Sequence, residues 1–148
     1  MNVERKVATG VAVAVILLLG LSLASPAQTK RIIKVTMSSY KFEPSLLFVN
    51  EGDTVILQLE NTDAERPHSF NSPYLSTVDF TLRGQFEQGV AKDGTKYVLV
   101  EPGNQAELEF VAKGHGQWGF ICSLRNHASL GQTGTIVIWP PGYHPTVK

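Results

Sequence analysis

The 148-residue chain has one cysteine, Cys122, so it can form no internal disulfide and has no cysteine pair for a zinc ribbon. Net charge is missing too. Thirteen basic residues balance thirteen acidic ones, leaving no long-range field to gather phosphate backbones, which argues against a nucleic-acid binder. Hydrophobic residues make up 43% of the chain, and with no net charge this composition excludes a disordered polypeptide. There is no internal repeat and no low-complexity tract. Methionine is scarce as well, since only Met1 and Met37 occur.

The N-terminus has its own character. Arg5 and Lys6 precede eighteen uncharged residues, Val7 to Ala24, rich in Val, Ala and Leu. This is the pattern of a signal sequence or a membrane anchor, and Ser22-Leu23-Ala24 and Ser25-Pro26-Ala27 both offer small residues for cleavage. No nearby cysteine could carry a lipid. Cleaved or retained, the segment directs the rest of the chain to the periplasm or the outer face of the cytoplasmic membrane, free or tethered by its N-terminus. Residues 1–27 are therefore set apart as an export or anchor helix. Residues 28–148 form one domain, long enough to bury roughly two-thirds of its unfolded surface without a disulfide.

That domain reads as strands. Runs rich in Val, Ile, Leu and Phe occupy 31–36, 45–49, 54–59, 97–100, 106–111, 117–122 and 134–139, without a long 3.6-residue period. Turn signals end them, among them Asn50-Glu51-Gly52-Asp53, Pro102-Gly103-Asn104, Lys113-Gly114-His115-Gly116 and Pro140-Pro141-Gly142. About seven short strands so punctuated predict an all-β antiparallel sandwich, with a tight hairpin at Gly52-Asp53 and Pro44 at a strand start or edge. Residues 71–96 read as a long connection with one short hairpin. Phe48, Phe110, Trp118 and Phe120 fall at alternating positions expected of core aromatics. His115 and His144 read as surface residues, and 140–148 as a loose tail.

One constellation carries chemistry. In Cys122-Ser-Leu-Arg-Asn-His127-Ala-Ser-Leu-Gly-Gln132, a thiol, an imidazole and an amide oxygen recur every five residues between a strand end and a strand start. Thiolate and imidazole together favour copper, and a third strong donor would complete a trigonal plane. His68, in Asn61-Thr-Asp-Ala-Glu-Arg-Pro-His68, is the candidate, since a sandwich can bring that segment beside the end of the Cys122 strand. Catalysis would need acid or base groups, and the loop supplies only Ser123, Arg125, Asn126 and Ser129. No enzyme is expected.

These residues carry a resemblance. Tyr40-Lys-Phe42-Glu-Pro44, Leu47-Phe-Val49 and Glu51-Gly52-Asp53-Thr54-Val55 resemble the opening strands of the cupredoxins, the small blue-copper electron-transfer family. Asn61-Thr62 through His68 is similar to the segment that delivers the family's first copper histidine. Pro102-Gly103 to Phe110, Gly119-Phe-Ile-Cys122, His127 and Gln132-Thr-Gly134-Thr-Ile-Val-Ile138 resemble its closing strands and ligand loop. The resemblance spans about 31–139 and implies a Greek-key β-sandwich with one mononuclear type 1 copper held by His68, Cys122 and His127. The family commonly has methionine where Gln132 stands. A glutamine there is similar to the stellacyanin-like branch, without that branch's disulfide, and implies an amide oxygen on the axis.

The resemblance further implies a monomer that shuttles one electron between extracytoplasmic redox partners, such as a cytochrome or a terminal oxidase subunit. His127 would be the electron port, ringed by Leu124, Ala128, Leu130 and Pro141, with Arg125 steering an acidic partner. Rival readings are a copper carrier or resistance protein, and a metal-free interaction domain on the same scaffold. A binuclear copper domain would need a second cysteine in the loop. A multicopper oxidase would need more domains.

Overall fold

A computed structural model describes residues 28–143 and Pro145. The export or anchor helix expected over 1–27 lies outside the described residues, as does His144. Among the described residues, no helix is long and apolar enough to cross a membrane.

Among the described residues, eleven strands form two sheets: β1 (Lys30–Ser38), β2 (Lys41–Glu43), β3 (Leu46–Asn50), β4 (Thr54–Asn61), β5 (His68–Asn71), β6 (Phe80–Gly84), β7 (Glu87–Val90), β8 (Lys96–Val100), β9 (Gln105–Val111), β10 (Gly116–Ile121) and β11 (Thr133–Trp139). The first sheet runs β2-β1-β4-β9-β6 and the second β3-β11-β10-β5-β8-β7. Alternation dictates the layering. In β9, Ala106, Leu108 and Phe110 point inward while the residues between them face out. Their counterparts across the core include Phe70, Val98, Phe120, Ile136 and Ile138, all buried.

All seven expected strands are present, and the expected sandwich with them. The pairing is mixed, however. β1 lies parallel to β4, and β3 parallel to β11, while the other pairs are antiparallel. The hairpin expected at Gly52-Asp53 is a corner between sheets instead, because β3 pairs with β11 and β4 with β1 and β9. Gly52 supplies the positive φ of 93° that the corner requires.

The stretch 71–96 is more ordered than its sequence suggests. Ser72 caps a short 3-10 helix, Pro73–Ser76, by accepting from the Tyr74 N–H. β6 then joins the first sheet against β9, and β7 makes a hairpin with β8 through Asp93-Gly94. The tail is pinned rather than loose up to Tyr143. Asn50 Nδ2 donates to the carbonyls of Pro140 (3.3 Å) and Tyr143 (2.8 Å). Phe110 and Phe120 are core and Trp118 is partly buried against it, whereas Phe48 lies outside the core, 41% exposed and stacked on Trp139.

The sandwich therefore has two distinct ends. The 50–53 corner, the 112–116 turn and residues 139–143 form the base, bound by Gly52 N–H to Ala112 O and Glu51 N–H to Trp139 O. The other end gathers 38–40, 61–68 and 122–132.

Candidate metal centre

That second end holds the site. His68 opens β5, which runs antiparallel beside β10 and places His68 next to Cys122, the first residue after β10. Backbone bonds fold the loop back on itself. Cys122 N–H donates to Gln132 O, Gln132 N–H to His127 O and His127 N–H to Leu124 O, each at 3.0 Å. Arg125 takes a positive φ of 39° within that turn. Cys122, His127 and Gln132, five residues apart in sequence, thus face one point, and His68 joins them from the neighbouring strand.

One donor atom from each of His68, Cys122 and His127 lies within 4.8 Å of the others. Cys122 Sγ is 3.4 Å from His127 Nδ1, and the two imidazole rings are 5.1 Å apart between centroids. His68, Cys122 and Gln132 are buried, while His127 is half-buried at the rim. Two atoms at this spot are buried without a hydrogen-bond partner among the described residues: His68 Nδ1 and Gln132 Oε1. Buried polar groups are rarely left so, and two lone pairs converging beside a buried thiol are the environment of a metal ion. The donor set, two imidazoles, one thiol and one amide oxygen, fits copper.

Several supporting residues gave no recognised signal in the sequence. Asp63 Oδ2 lies 3.4 Å from His68 Nε2. Asp63 also accepts from the backbone N–H groups of Glu65 and Arg66 and from Ser39 Oγ. The Glu65 N–H is the largest influence holding this carboxyl at about 2, below its ordinary 3.8, helped by Ser39, Arg66 and His68 against the opposing effect of burial. An ionised Asp63 only accepts, so the His68 proton sits on Nε2 and the free lone pair is Nδ1, the atom without a partner. Burial pushes the His68 pKa down and the nearby His127 adds to this, while Asp63 and Gln132 oppose it. The buried ring is thus biased toward the neutral form that can coordinate. The local signal was Asn61-Thr-Asp63, an Asx turn in which Asn61 Oδ1 accepts from Asp63 N–H at 2.9 Å.

Ser69 supports the thiol. Its backbone N–H points at Cys122 Sγ (3.4 Å), and its hydroxyl accepts from Ser123 N–H (2.9 Å). Gln132 is oriented by Nε2 donating to Lys41 O at 3.4 Å, which leaves Oε1 facing inward.

At the rim, His127 opens onto a concavity of about 450 Å³ lined by Tyr40, Arg66, Pro67, Leu124, Arg125, Asn126 and Leu130. Leu124, Arg125 and Leu130 stand where the sequence suggested, while Ala128, half-buried in the same loop, lies outside this lining. Pro141 is nowhere near. β11 carries the chain from Gln132 to the base, roughly 20 Å at the usual rise per residue, before Pro141 is reached. Tyr40 replaces it, with its ring edge-on to His127 at 5.2 Å and the Arg66 guanidinium 5.8 Å from its centre. His115 lies at the base, its side chain 69% exposed beside Glu51.

The same scaffold occurs in known proteins. Auracyanin from the photosynthetic bacterium Roseiflexus castenholzii, in its dithionite-reduced crystal structure, superposes with a TM-score of 0.58 at 14% identity, covering 76% of this chain and 99% of that one. Auracyanin A of Chloroflexus aurantiacus, described as a blue copper protein, gives 0.52 at 17% identity, covering 72% and 98%. In sequence, the chain is 24% identical over 147 residues to the copper-resistant cuproprotein CopI of Pseudomonas aeruginosa, covering 79% of this chain and 81% of that protein. The family model of the cupredoxin-like domain matches residues 11–138, and the chain belongs to that family.

Proposed function

We propose that the chain is a mononuclear copper protein that passes single electrons between redox partners outside the cytoplasm, with His68, Cys122 and His127 as strong ligands and the Gln132 side-chain oxygen as the axial one. The observation that carries this is the convergence of three donors within 4.8 Å together with the unpartnered His68 Nδ1 and Gln132 Oε1. The auracyanins, blue copper proteins of the same fold, support it. Copper in such a site supplies a one-electron Cu(I)/Cu(II) couple.

The chain's own residues do the rest. Cys122 provides the soft donor, and the Ser69 N–H aimed at its sulfur stabilises negative charge there. Asp63 fixes the His68 tautomer, and backbone hydrogen bonds among Cys122, Leu124, His127 and Gln132 hold the loop donors together. A site that need not rearrange suits electron transfer. It suits hydrolysis poorly, because Asp63, the carboxylate beside it, is held at about 2 and its oxygens are engaged by several donors, which mismatches it to general-base work near neutrality. His127, half-buried at the concavity, is the port. Arg66 and Arg125 beside it give an acidic partner a complementary face, and transfer should be faster at low salt in the wild type but not in Arg125→Ala.

The test is titration of the apoprotein with Cu(II), followed optically and by paramagnetic resonance, with Cys122→Ala as control. An intense visible thiolate-to-copper band saturating at one copper and missing in the control is expected. A freely reactive thiol and no band would overturn the reading in favour of a metal-free interaction domain. For the axial ligand, Gln132→Met should raise the reduction potential, since a thioether stabilises Cu(II) less than a harder oxygen does. An unchanged or lower potential would remove Gln132 from the coordination sphere.

The similarity to CopI favours a second reading, copper holding in resistance. The two separate by experiment. A carrier yields its copper to a competing chelator or acceptor and its deletion sensitises cells to copper, whereas an electron carrier keeps the ion through repeated reduction and oxidation.

A further inference from the structure

The base of the sandwich carries an exposed aromatic edge that the metal site does not explain. Phe48 stacks on Trp139 with centroids 4.8 Å apart, and Trp139 meets Tyr143 edge-on at 5.1 Å. Phe48 is 41% exposed and Tyr143 47%, with Trp139 half-buried between them. The edge is built rather than incidental. The buried Asn50 side chain grips the carbonyls of Pro140 and Tyr143, and Tyr143 N–H donates to Pro140 O at 3.1 Å, so the last ring is held against the stack.

The position of this edge identifies what covers it. Thr29, at the start of the described chain, is bound to the same end, its carbonyl accepting from Thr54 N–H at 2.9 Å. Five residues before it lies Ala24, the end of the eighteen-residue uncharged run. Retained as a membrane anchor, one of the two readings of that segment, it delivers the domain base first. Tryptophan and tyrosine, apolar in body and polar at one tip, favour the boundary between lipid and water. Lys30 and Lys113, both exposed, lie at this end, while Glu51 is engaged by Gly114 N–H and His115, and Asp53 by Arg31; the exposed Asp79, beside Thr54 and Val111, is a carboxylate at the same end.

We propose that Phe48, Trp139 and Tyr143 form a lipid-contacting foot, resting the base of the domain on the bilayer that residues 7–24 enter. His68, Cys122 and His127 sit at the opposite end, so the foot turns the metal end away from the lipid, toward partners in the aqueous phase. The proposal does not depend on whether copper binds.

The experiment uses the full chain mixed with phosphatidylethanolamine–phosphatidylglycerol vesicles, with and without lipids carrying a nitroxide quencher near the headgroup. The chain has two tryptophans, and Trp118 packs against the core. Quenching of wild-type emission on vesicles, with that component lost in Trp139→Phe, is expected; the phenyl ring preserves the stack on Phe48, and circular dichroism checks the fold. Phe48→Ser/Tyr143→Ser should weaken the quenching while leaving the chain on vesicles. Several results would overturn the proposal: equal quenching in wild type and Trp139→Phe, vesicle-bound chain without quenching, or a chain that fails to float with vesicles. So would a dimer in detergent-free, lipid-free solution that already shields Trp139 from acrylamide, which would make a second copy the occupant.

Discussion

The two ends of the sandwich solve the burial of polar groups in opposite ways. At the base, the corner and tail groups find partners: Asp53 takes Arg31 and Asn50 N–H, Asn50 takes two carbonyls, and the Tyr74 hydroxyl both accepts from Lys113 N–H and donates to Lys113 O. At the other end, His68 Nδ1 and Gln132 Oε1 are buried and unpartnered, two of the three such side-chain atoms among the described residues. The third, Trp118 Nε1, is a single donor beside Gly116 toward the base, whereas the other two are lone pairs converging on one point. An unsatisfied buried polar atom costs about 1–3 kcal/mol, so lone pairs held together at the metal end are being kept for something that binds.

The sharpest way to break the contrast is at the seam between loop and core. Gly134, in β11, faces the Phe120 ring so closely that a Cβ would collide with it and come within 2.5 Å of Ser45 O. Phe120 in turn stacks on Phe70, two residues beyond His68, at 4.7 Å. Gly134→Ala should therefore cost roughly 1–3 kcal/mol or more, lowering the melting temperature and loosening the metal end together. Unchanged melting would mean that the aromatic layer yields freely and does not stiffen the site.

Asp63→Asn comes next and touches one end only. Loss of the carboxylate that orients His68 should weaken copper binding roughly 10–100-fold, measured by competition with a chelator, while the thermal stability of the apoprotein changes less. Because the folded pKa of Asp63 is depressed to about 2 from 3.8, its stabilising contribution is complete above the unfolded value and disappears as pH falls through about 2. The variant should lack that acid limb. Equal affinities for wild type and variant would show that packing alone holds His68.

The legibility of this contrast in the sequence depends on which of its parts are local. Cys122, His127 and Gln132 are close in the chain, so their spacing could be read directly, and the seven strands with strong apolar runs stood out. His68 could be nominated only through the resemblance and the expectation of a neighbouring strand, because β5 is four residues long and wholly buried, with no alternation to betray it. β6 was missed because its partner, β9, lies far away in sequence, and β2 because a three-residue strand is too short to show a period, although it pairs with its neighbour β1; β7 and β8 form the one short hairpin expected within 71–96. Tyr40 acts on the site across elements, and no local period marks such a contact, whereas Asp63, five residues before His68, was marked only by its Asx turn with Asn61. Pro141 was misplaced because its distance from the loop depends on the direction of β11, and Phe48 because alternation does not say which face of an edge strand is covered.

The smallest effect belongs to the base. Tyr74 is buried against Phe110 and Trp118, and burial pushes its pKa above the usual 10.0 despite the Lys113 N–H hydrogen bond that favours ionisation. Tyr74→Phe keeps the ring but deprives Lys113 N–H and C=O of their shared partner, which should cost about 1 kcal/mol near neutral pH. The dependence on pH separates this loss from simple repacking. A raised folded pKa means that the tyrosine's contribution is fully present below pH 10.0 and declines as the pH rises above it, because the unfolded chain then ionises first. Denaturant melts of wild type and Tyr74→Phe should accordingly differ most below about pH 10 and converge above it, with the copper band of both proteins the same at neutral pH. If the band shifted in Tyr74→Phe, the two ends would be mechanically coupled through the β10 aromatics. If the stability gap instead stayed constant with pH, the hydroxyl would be contributing shape alone.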